Sequence, residues 1–154
     1  MTSAAVQASA DRTQLVGRFE ESLVKDVIPY IDSHYRTVAT KENRAIAGLS
    51  MGGGHTIRAT NSHPDTFGYI GVFSAGAREP DEAFHQQLDA LKASGVNLYW
   101  IGCGVDDFVY QSAKTLREVL DAHDFEYTYY ESSGGHTWAN WRIYLSELAP
   151  LLFK

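Results

Sequence analysis

A serine set among small residues, Gly48-Leu49-Ser50-Met51-Gly52, joins an apolar strand-like segment at residues 44–47 to a helix-compatible one at 53–60. The chain must therefore pass from strand to helix within the motif itself. A turn this sharp strains the serine backbone and projects its hydroxyl outward. It also brings strand and helix backbones close together, so the flanking positions are expected to be small. In a chain with 13 glycines the motif alone is a moderate clue. Its surroundings sharpen it.

Residues 11 to about 35 have the pattern of a long amphipathic helix: Leu15, Phe19, Leu23, Val27 and Ile31 recur every four positions, widened by Val16, Val24 and Ile28. Pro29 lacks the N–H the ladder needs and should kink this helix near Lys25 and Asp26. A polar connector at 37–43 leads to a strand at 44–49, the motif, and a helix at 51–61 that His63-Pro64-Asp65 breaks. A second strand is expected at 69–74. Asp81 caps a helix running to about Ala93, which Gly95 closes. Strands at 97–101 and 126–131 flank a helix at 109–123, and a last helix covers 138–149 with Pro150 near its end. Strands alternating with helices at this spacing give a parallel sheet of about four strands with right-handed crossovers. Ligands in such sheets lie beyond the carboxyl ends of the strands.

That edge is where the reactive side chains fall. Asp106 and Asp107 follow Leu98-Tyr99-Trp100-Ile101, and His136 follows Tyr127-Thr128-Tyr129-Tyr130. Serine, then acid, then histidine, each in a loop ending a strand, is the chain order of the α/β-hydrolase triad; two other serine hydrolase architectures use different orders. Ser50 is the candidate nucleophile, His136 the base, and an aspartate the group that orients it. The residues alone leave Asp106 and Asp107 open, and an aspartate here also serves as a helix N-cap for 109–123. The backbone N–H of Met51 is the candidate oxyanion donor. Trp138, Trp141, Phe108 and Tyr110 flank the acid and base loops; Trp138 is the candidate for substrate binding and Trp141 for packing of the last helix. His55 should point away from the serine on the elbow helix. His34, His63, His85 and His123 are expected to be solvated.

Composition narrows the partners. The 154 residues are 44% hydrophobic and 21% charged, ordinary for one soluble domain, with a formal net charge of −6. That charge argues against nucleic acid, and no apolar run is long enough to span a bilayer. Cys103 is the single cysteine, so no intrachain disulfide forms; between two glycines at a strand end it reads as a buried packing residue. No zinc-type spacing is present, and neither a metal nor another cofactor is expected. Residues 1–10 are small and polar, a flexible tail without the basic and apolar regions of an intact signal peptide. As it stands the chain reads as cytoplasmic.

Val27-Ile28-Pro29-Tyr30-Ile31 with Tyr35, Ala47-Gly48-Leu49-Ser50-Met51-Gly52-Gly53, and Gly135-His136-Thr137-Trp138 together resemble the esterase D and feruloyl esterase family of α/β-hydrolases. The likeness covers nearly everything after Gly17. It implies a serine carboxylic ester hydrolase acting on feruloyl or acetyl esters of plant carbohydrate, or on small aryl and alkyl esters, and it allows a secreted parent protein. In that family the acid follows a G-x-x-D pattern. Matched to Gly104-Val105-Asp106-Asp107, it selects Asp107.

The resemblance also implies a truncated α/β-hydrolase fold. Residues 11–154 read as its catalytic domain without the usual N-terminal strands. An upstream loop that normally supplies a second oxyanion donor then has no counterpart, at a cost of about 10²–10³ in rate. The strand at 44–49 becomes an edge with unpaired backbone groups, and a homo-oligomer formed through that edge or the N-terminal helix is expected. A catalytically impaired fragment serving as a folding or binding unit is the alternative to the esterase.

Overall fold

The computed structural model describes residues 18–154. The expected tail at 1–10 and the start of the first helix, 11–17, lie outside the described residues. The chain divides into two compact units, Met1–Thr37 and Val38–Lys154.

In the first unit, α1 (Arg18–Ser22) runs through a π-helical turn at Leu23–Val27 into α2 (Ile28–His34). The π turn is the local response to Pro29. With no N–H at Pro29 to meet the carbonyl four residues back, the ladder widens, and Ile28 N–H bonds to Leu23 O instead. The expected interruption at Lys25 and Asp26 therefore takes the form of one wider turn. Phe19, Val27 and Ile31 of the anticipated stripe are exposed.

The second unit opens with a 3₁₀ turn at Lys41–Asn43 and then alternates strand and helix. Its order is β1 (Ala45–Leu49), α3 (Met51–Ser62), β2 (Tyr69–Phe73), α4 (Glu82–Ala93), β3 (Leu98–Gly104), α5 (Tyr110–Ala122), β4 (Thr128–Ser132) and α6 (Trp138–Leu148), closed by a 3₁₀ turn at Ala149–Leu151. The four strands are parallel in the order β1-β2-β3-β4. Each connection steps the same way across the sheet, so crossovers of one hand place α3, α4 and α5 on one face.

Burial follows from that layering. Every residue of β2 is buried, and β3 is buried from Tyr99 onward, because central parallel strands are covered on both faces. Ile70, Val72, Tyr99 and Ile101 point to the helices of the first face, where Leu88, Leu91, Leu116 and Leu120 meet them. Each such aliphatic contributes about 2 kcal/mol by leaving water. Phe73 and Trp100 point the other way and pack with Tyr144 and Leu148 of α6. The alternation along one strand is the period of two that side chains in an extended chain obey.

Helix starts follow local chemistry. Asp81 accepts the backbone N–H of Phe84 at 2.9 Å and caps α4, a contribution of about 1 kcal/mol. Strand β3 runs three residues past the expected end at 101. Gly102, Cys103 and Gly104 carry little apolar signal, yet Gly102 pairs with Tyr130, Cys103 with Glu131 and Gly104 with Ser132. The register aligns Leu49 with Phe73, Phe73 with Gly102, and Gly104 with Ser132. The loops that leave β1, β3 and β4 therefore emerge along one edge of the sheet.

Candidate active site

Ser50 occupies the junction between β1 and α3 with φ 54° and ψ −119°, a region that residues with a Cβ rarely enter. Its N–H donates to Phe73 O at 2.9 Å, and its carbonyl accepts from Gly54 N at 3.2 Å. These bonds tie the turn to β2 on one side and to α3 on the other. The close approach falls on Gly48 and Gly53. A Cβ on Gly48 would lie 2.2 Å from Gly52 O, and one on Gly53 would lie 2.6 Å from the Ala75 Cβ. At Gly52 an added Cβ meets nothing within 4 Å. The expected requirement for small residues on both flanks therefore holds before the serine, while after it the constraint shifts one place along, because helical rotation turns position 52 away from β2.

The loop after β3 separates the two aspartates. Asp107 is 4% exposed. Its Oδ1 accepts the N–H of Val109 at 3.1 Å, and its carbonyl accepts that of Tyr110 at 2.9 Å. The N-cap of α5 is Val109, without a side-chain cap, so Asp107 closes a turn just ahead of the helix instead of serving as the N-cap anticipated for an aspartate here, and the same carboxylate faces His136. Asp106 is exposed and turns to the neighbouring loop, where Oδ2 accepts the N–H of Gly134 at 3.2 Å.

His136 lies in the loop between β4 and α6. Its Nδ1 is 2.9 and 3.0 Å from the two carboxylate oxygens of Asp107, and its Nε2 is 2.8 Å from Ser50 Oγ. A carboxylate only accepts, so Nδ1 carries the hydrogen and Nε2 offers its lone pair to the serine hydroxyl. Three side chains from three strand ends thus form one hydrogen-bonded chain. Chemically it can draw a proton from Ser50 as the oxygen attacks an electrophile, then return that proton to a leaving group.

Three further residues hold this geometry; Trp141 and Phe108 stand out in the sequence, while Asn140 left no signal there. Asn140, buried at the start of α6, donates from Nδ2 to Ser133 O at 3.1 Å and Gly135 O at 3.0 Å, bracing the loop that presents His136. Trp141 donates from Nε1 to Ser74 Oγ at 2.9 Å and sets its ring edge against His136, centroids 5.0 Å apart. Phe108 covers the imidazole from another side at 4.4 Å and is itself 77% exposed.

Beside the serine is a cavity of about 250 Å³ whose walls include Ser50, Met51, Gly76, Arg78, Phe108 and Ser112. Trp138 is not among its lining; it is 63% exposed and stands edge-on to Trp141. Tyr110 points elsewhere, its hydroxyl donating to Glu131 Oε2 at 2.7 Å. Met51 exposes its side chain. As the first residue of α3 it has no carbonyl four residues back within the helix to take its N–H.

His55, His85 and His123 make other contacts. His55 Nδ1 is 3.0 Å from an Arg58 guanidinium nitrogen. His85 and His123 are not simply solvated: their rings stack, with His85 Nδ1 2.8 Å from His123 Nε2, and His123 Nδ1 meets Asp89. These contacts cross from α4 to the end of α5, a long-range pairing that helical position alone does not disclose.

Cys103 is fully buried, and its thiol is pushed up to about 12, first by burial and then by the negative charge of Asp107. It stays a thiol at neutral pH, which fits packing rather than attack. Among the described residues no group of three His, Cys, Asp or Glu could hold a metal, and no helix is long and apolar enough to cross a membrane.

A parallel sheet with helices on both faces and a Ser–His–Asp arrangement at its carboxyl edge is the architecture of an α/β-hydrolase. Residues 3–152 match the family model described as "Putative esterase", and the chain belongs to this esterase family. Over 137 residues it is 38% identical to an endo-1,4-beta-xylanase/feruloyl esterase of Xylanibacter ruminicola, covering 88% of this chain and 18% of that protein. It is 24% identical over 171 residues to an acetyl esterase of Caldicellulosiruptor saccharolyticus, covering 88% and 64% respectively. Among solved structures it resembles a CE1 ferulic acid esterase from the anaerobic fungus Anaeromyces mucronatus, with TM-score 0.73, 27% identity, and 88% of this chain against 53% of that one. The chain thus spans less than two thirds of the length of each of these relatives.

Proposed function

We propose that this chain is a serine carboxylic ester hydrolase working through an acyl-enzyme. The observation that carries the reading is the 2.8 Å contact between Ser50 Oγ and His136 Nε2, with Nδ1 of the same ring held by Asp107. Ser50 Oγ attacks the ester carbonyl while Nε2 takes its proton; Asp107 keeps the ring in the required tautomer and stabilises the imidazolium. The Met51 N–H faces the oxyanion, a contribution of about 10²–10³ in rate for one such donor. Collapse of the tetrahedral species expels the alcohol, protonated by His136. Water, deprotonated by the same nitrogen, then releases the acid and restores Ser50.

Feruloyl or acetyl esters of plant carbohydrate are the proposed substrates, since the similar proteins are named for feruloyl and acetyl ester cleavage. Turnover of 4-nitrophenyl acetate and methyl ferulate tests the reading, together with a fluorophosphonate whose adduct is mapped by mass spectrometry. The expected result is hydrolysis that disappears in Ser50→Ala, with the adduct on Ser50. Hydrolysis unchanged by that substitution excludes Ser50 as nucleophile.

A second copy of the chain is the proposed partner. Among the described strands β1 has a neighbour on one side only, and its free backbone groups are satisfied by pairing with another strand. Sedimentation at micromolar concentration should give a dimer or larger species; a stable monomer rejects this.

A further inference from the structure

We infer that Trp138 is the platform on which the sugar of a carbohydrate ester rests, so that it selects the alcohol half of the substrate and not the acyl half. The inference rests on the serine esterase reading above and adds a second subsite to the same centre. An ester at Ser50 can lie in either of two directions. Its leaving oxygen must meet His136 Nε2, because that nitrogen returns the proton. The cavity of about 250 Å³ is walled by Ser50, Met51 and Phe108, whereas His136, Trp138 and Trp141 are not part of its lining. The acyl group therefore lies in the cavity, and the alcohol leaves on the imidazole side.

Trp138 stands on that side, two ring contacts from the base: it is edge-on to Trp141 at 5.1 Å, and Trp141 is edge-on to His136 at 5.0 Å. The two tryptophans of α6 are used differently. Trp141 is half-buried and spends its N–H on Ser74 Oγ at 2.9 Å. Trp138 is 63% exposed, and no hydrogen bond engages its Nε1 among the described residues. Its support is nonetheless firm, because it opens α6 behind the Thr137 cap and leans on the pinned Trp141. A surface ordered in advance loses little freedom when a ligand settles on it. An indole offers an apolar face and one polar edge that only donates. A sugar ring has the complementary pair, a face of C–H bonds and a rim of hydroxyl oxygens that accept. A sugar attached to the leaving oxygen can therefore cover the Trp138 face and take its N–H. Phe108, 77% exposed and 4.4 Å from the imidazole on another side, bounds the acyl cavity, so exposed aromatic rings flank the base toward both halves of the ester. The stack needs no charge and suits a neutral sugar, in keeping with a chain of net charge −6 that repels acidic ones.

The test uses two pairs of esters, each sharing its acyl group: 5-O-feruloyl-L-arabinose with methyl ferulate, and an acetylated methyl β-D-xyloside with ethyl acetate. Within a pair the acyl cavity and the catalytic groups act on both esters, so a loss common to both cancels in the ratio of kcat/KM, sugar ester over simple ester. In each pair that wild type hydrolyses, Trp138→Ala is expected to lower this ratio roughly tenfold, mainly through a higher KM for the sugar ester. Trp138→Tyr, which keeps an aromatic face, retains part of the ratio. Circular dichroism and the melting transition verify that the variants fold. A ratio unaltered in Trp138→Ala, or equal losses on both members of a pair, overturns the sugar platform while leaving the esterase reading intact. Absence of turnover of all four esters by wild type overturns the esterase reading and this inference with it.

Discussion

Asp106 and Asp107 are adjacent in sequence and grip the same distant loop at different points. Asp106 holds the main chain at Gly134, and Asp107 holds the ring of His136. The buried one meets the imidazole, which the proposed mechanism uses as base, and the exposed one ties down the loop around it. Asp107→Asn should lower kcat by about 10³–10⁴, because the amide can favour the wrong imidazole tautomer. Asp106→Asn should stay within roughly fivefold of wild type, since an amide oxygen still accepts from Gly134. Equal losses in the two variants would contradict the division of labour.

The elbow makes a sharp statement about two glycines that the motif treats alike. Gly48→Ala places a methyl group 2.2 Å from a backbone carbonyl oxygen and should cost about 3 kcal/mol in urea unfolding. Gly52→Ala adds its methyl to open space near the start of a helix and should be neutral or stabilise by about 0.5 kcal/mol. The reverse ranking would mean that the turn is built differently.

Asn140 predicts a loss in which stability and rate move together. Asn140→Leu leaves the carbonyls of Ser133 and Gly135 without their donor, for a cost of about 2 kcal/mol. Loosening the His136 loop should also lower kcat/KM by roughly tenfold. Unfolding curves and steady-state kinetics on the same preparation read both; a full-rate, fully stable variant removes Asn140 from the bracing role.

The Cys103 thiol should resist iodoacetamide at pH 8 in the native protein and react once urea unfolds it. Its raised pKa also sets a sign for stability. The folded state holds this proton more tightly than the unfolded one, so the contribution is intact below about pH 9 and is lost as pH rises toward about 12. Tyr99, Tyr129 and Tyr144 are raised as well, chiefly by burial, and add losses above about pH 10. Between pH 9 and 10 the decline belongs to the cysteine and should be absent in Cys103→Ala. An identical decline in that variant assigns it elsewhere.

Much of the architecture was legible because it is written locally. The apolar runs at 69–73 and 98–101, the cap at Asp81, the proline at 29 and the strand-to-helix serine each act over a few residues, and the structure shows the corresponding elements. The order serine, aspartate, histidine could be read because strand ends in a parallel sheet share one edge, while the choice of Asp107 over Asp106 came only from the family resemblance. What escaped was of long range. The Trp141–Ser74 bond joins residues 67 apart in sequence, and Asn140 acts on carbonyls that any sequence would supply. The glycine-flanked end of β3 hid a strand whose pairing depends on β4. Arg78 sits in an ordinary loop, and only the fold reveals that this loop borders the cavity.

The backbone of Ser50 has a further consequence. The Cα–Cβ bond is aimed by main-chain torsions and by the anchor from Ser50 N to Phe73 O, and the hydroxyl at its end meets His136 Nε2 at 2.8 Å. On the proposed esterase reading, residues around the cavity mouth can be exchanged to admit other acyl groups while that bond keeps its bearing. Replacing what surrounds the hydroxyl would then change which esters reach it, while the sheet beneath holds the bond that carries it.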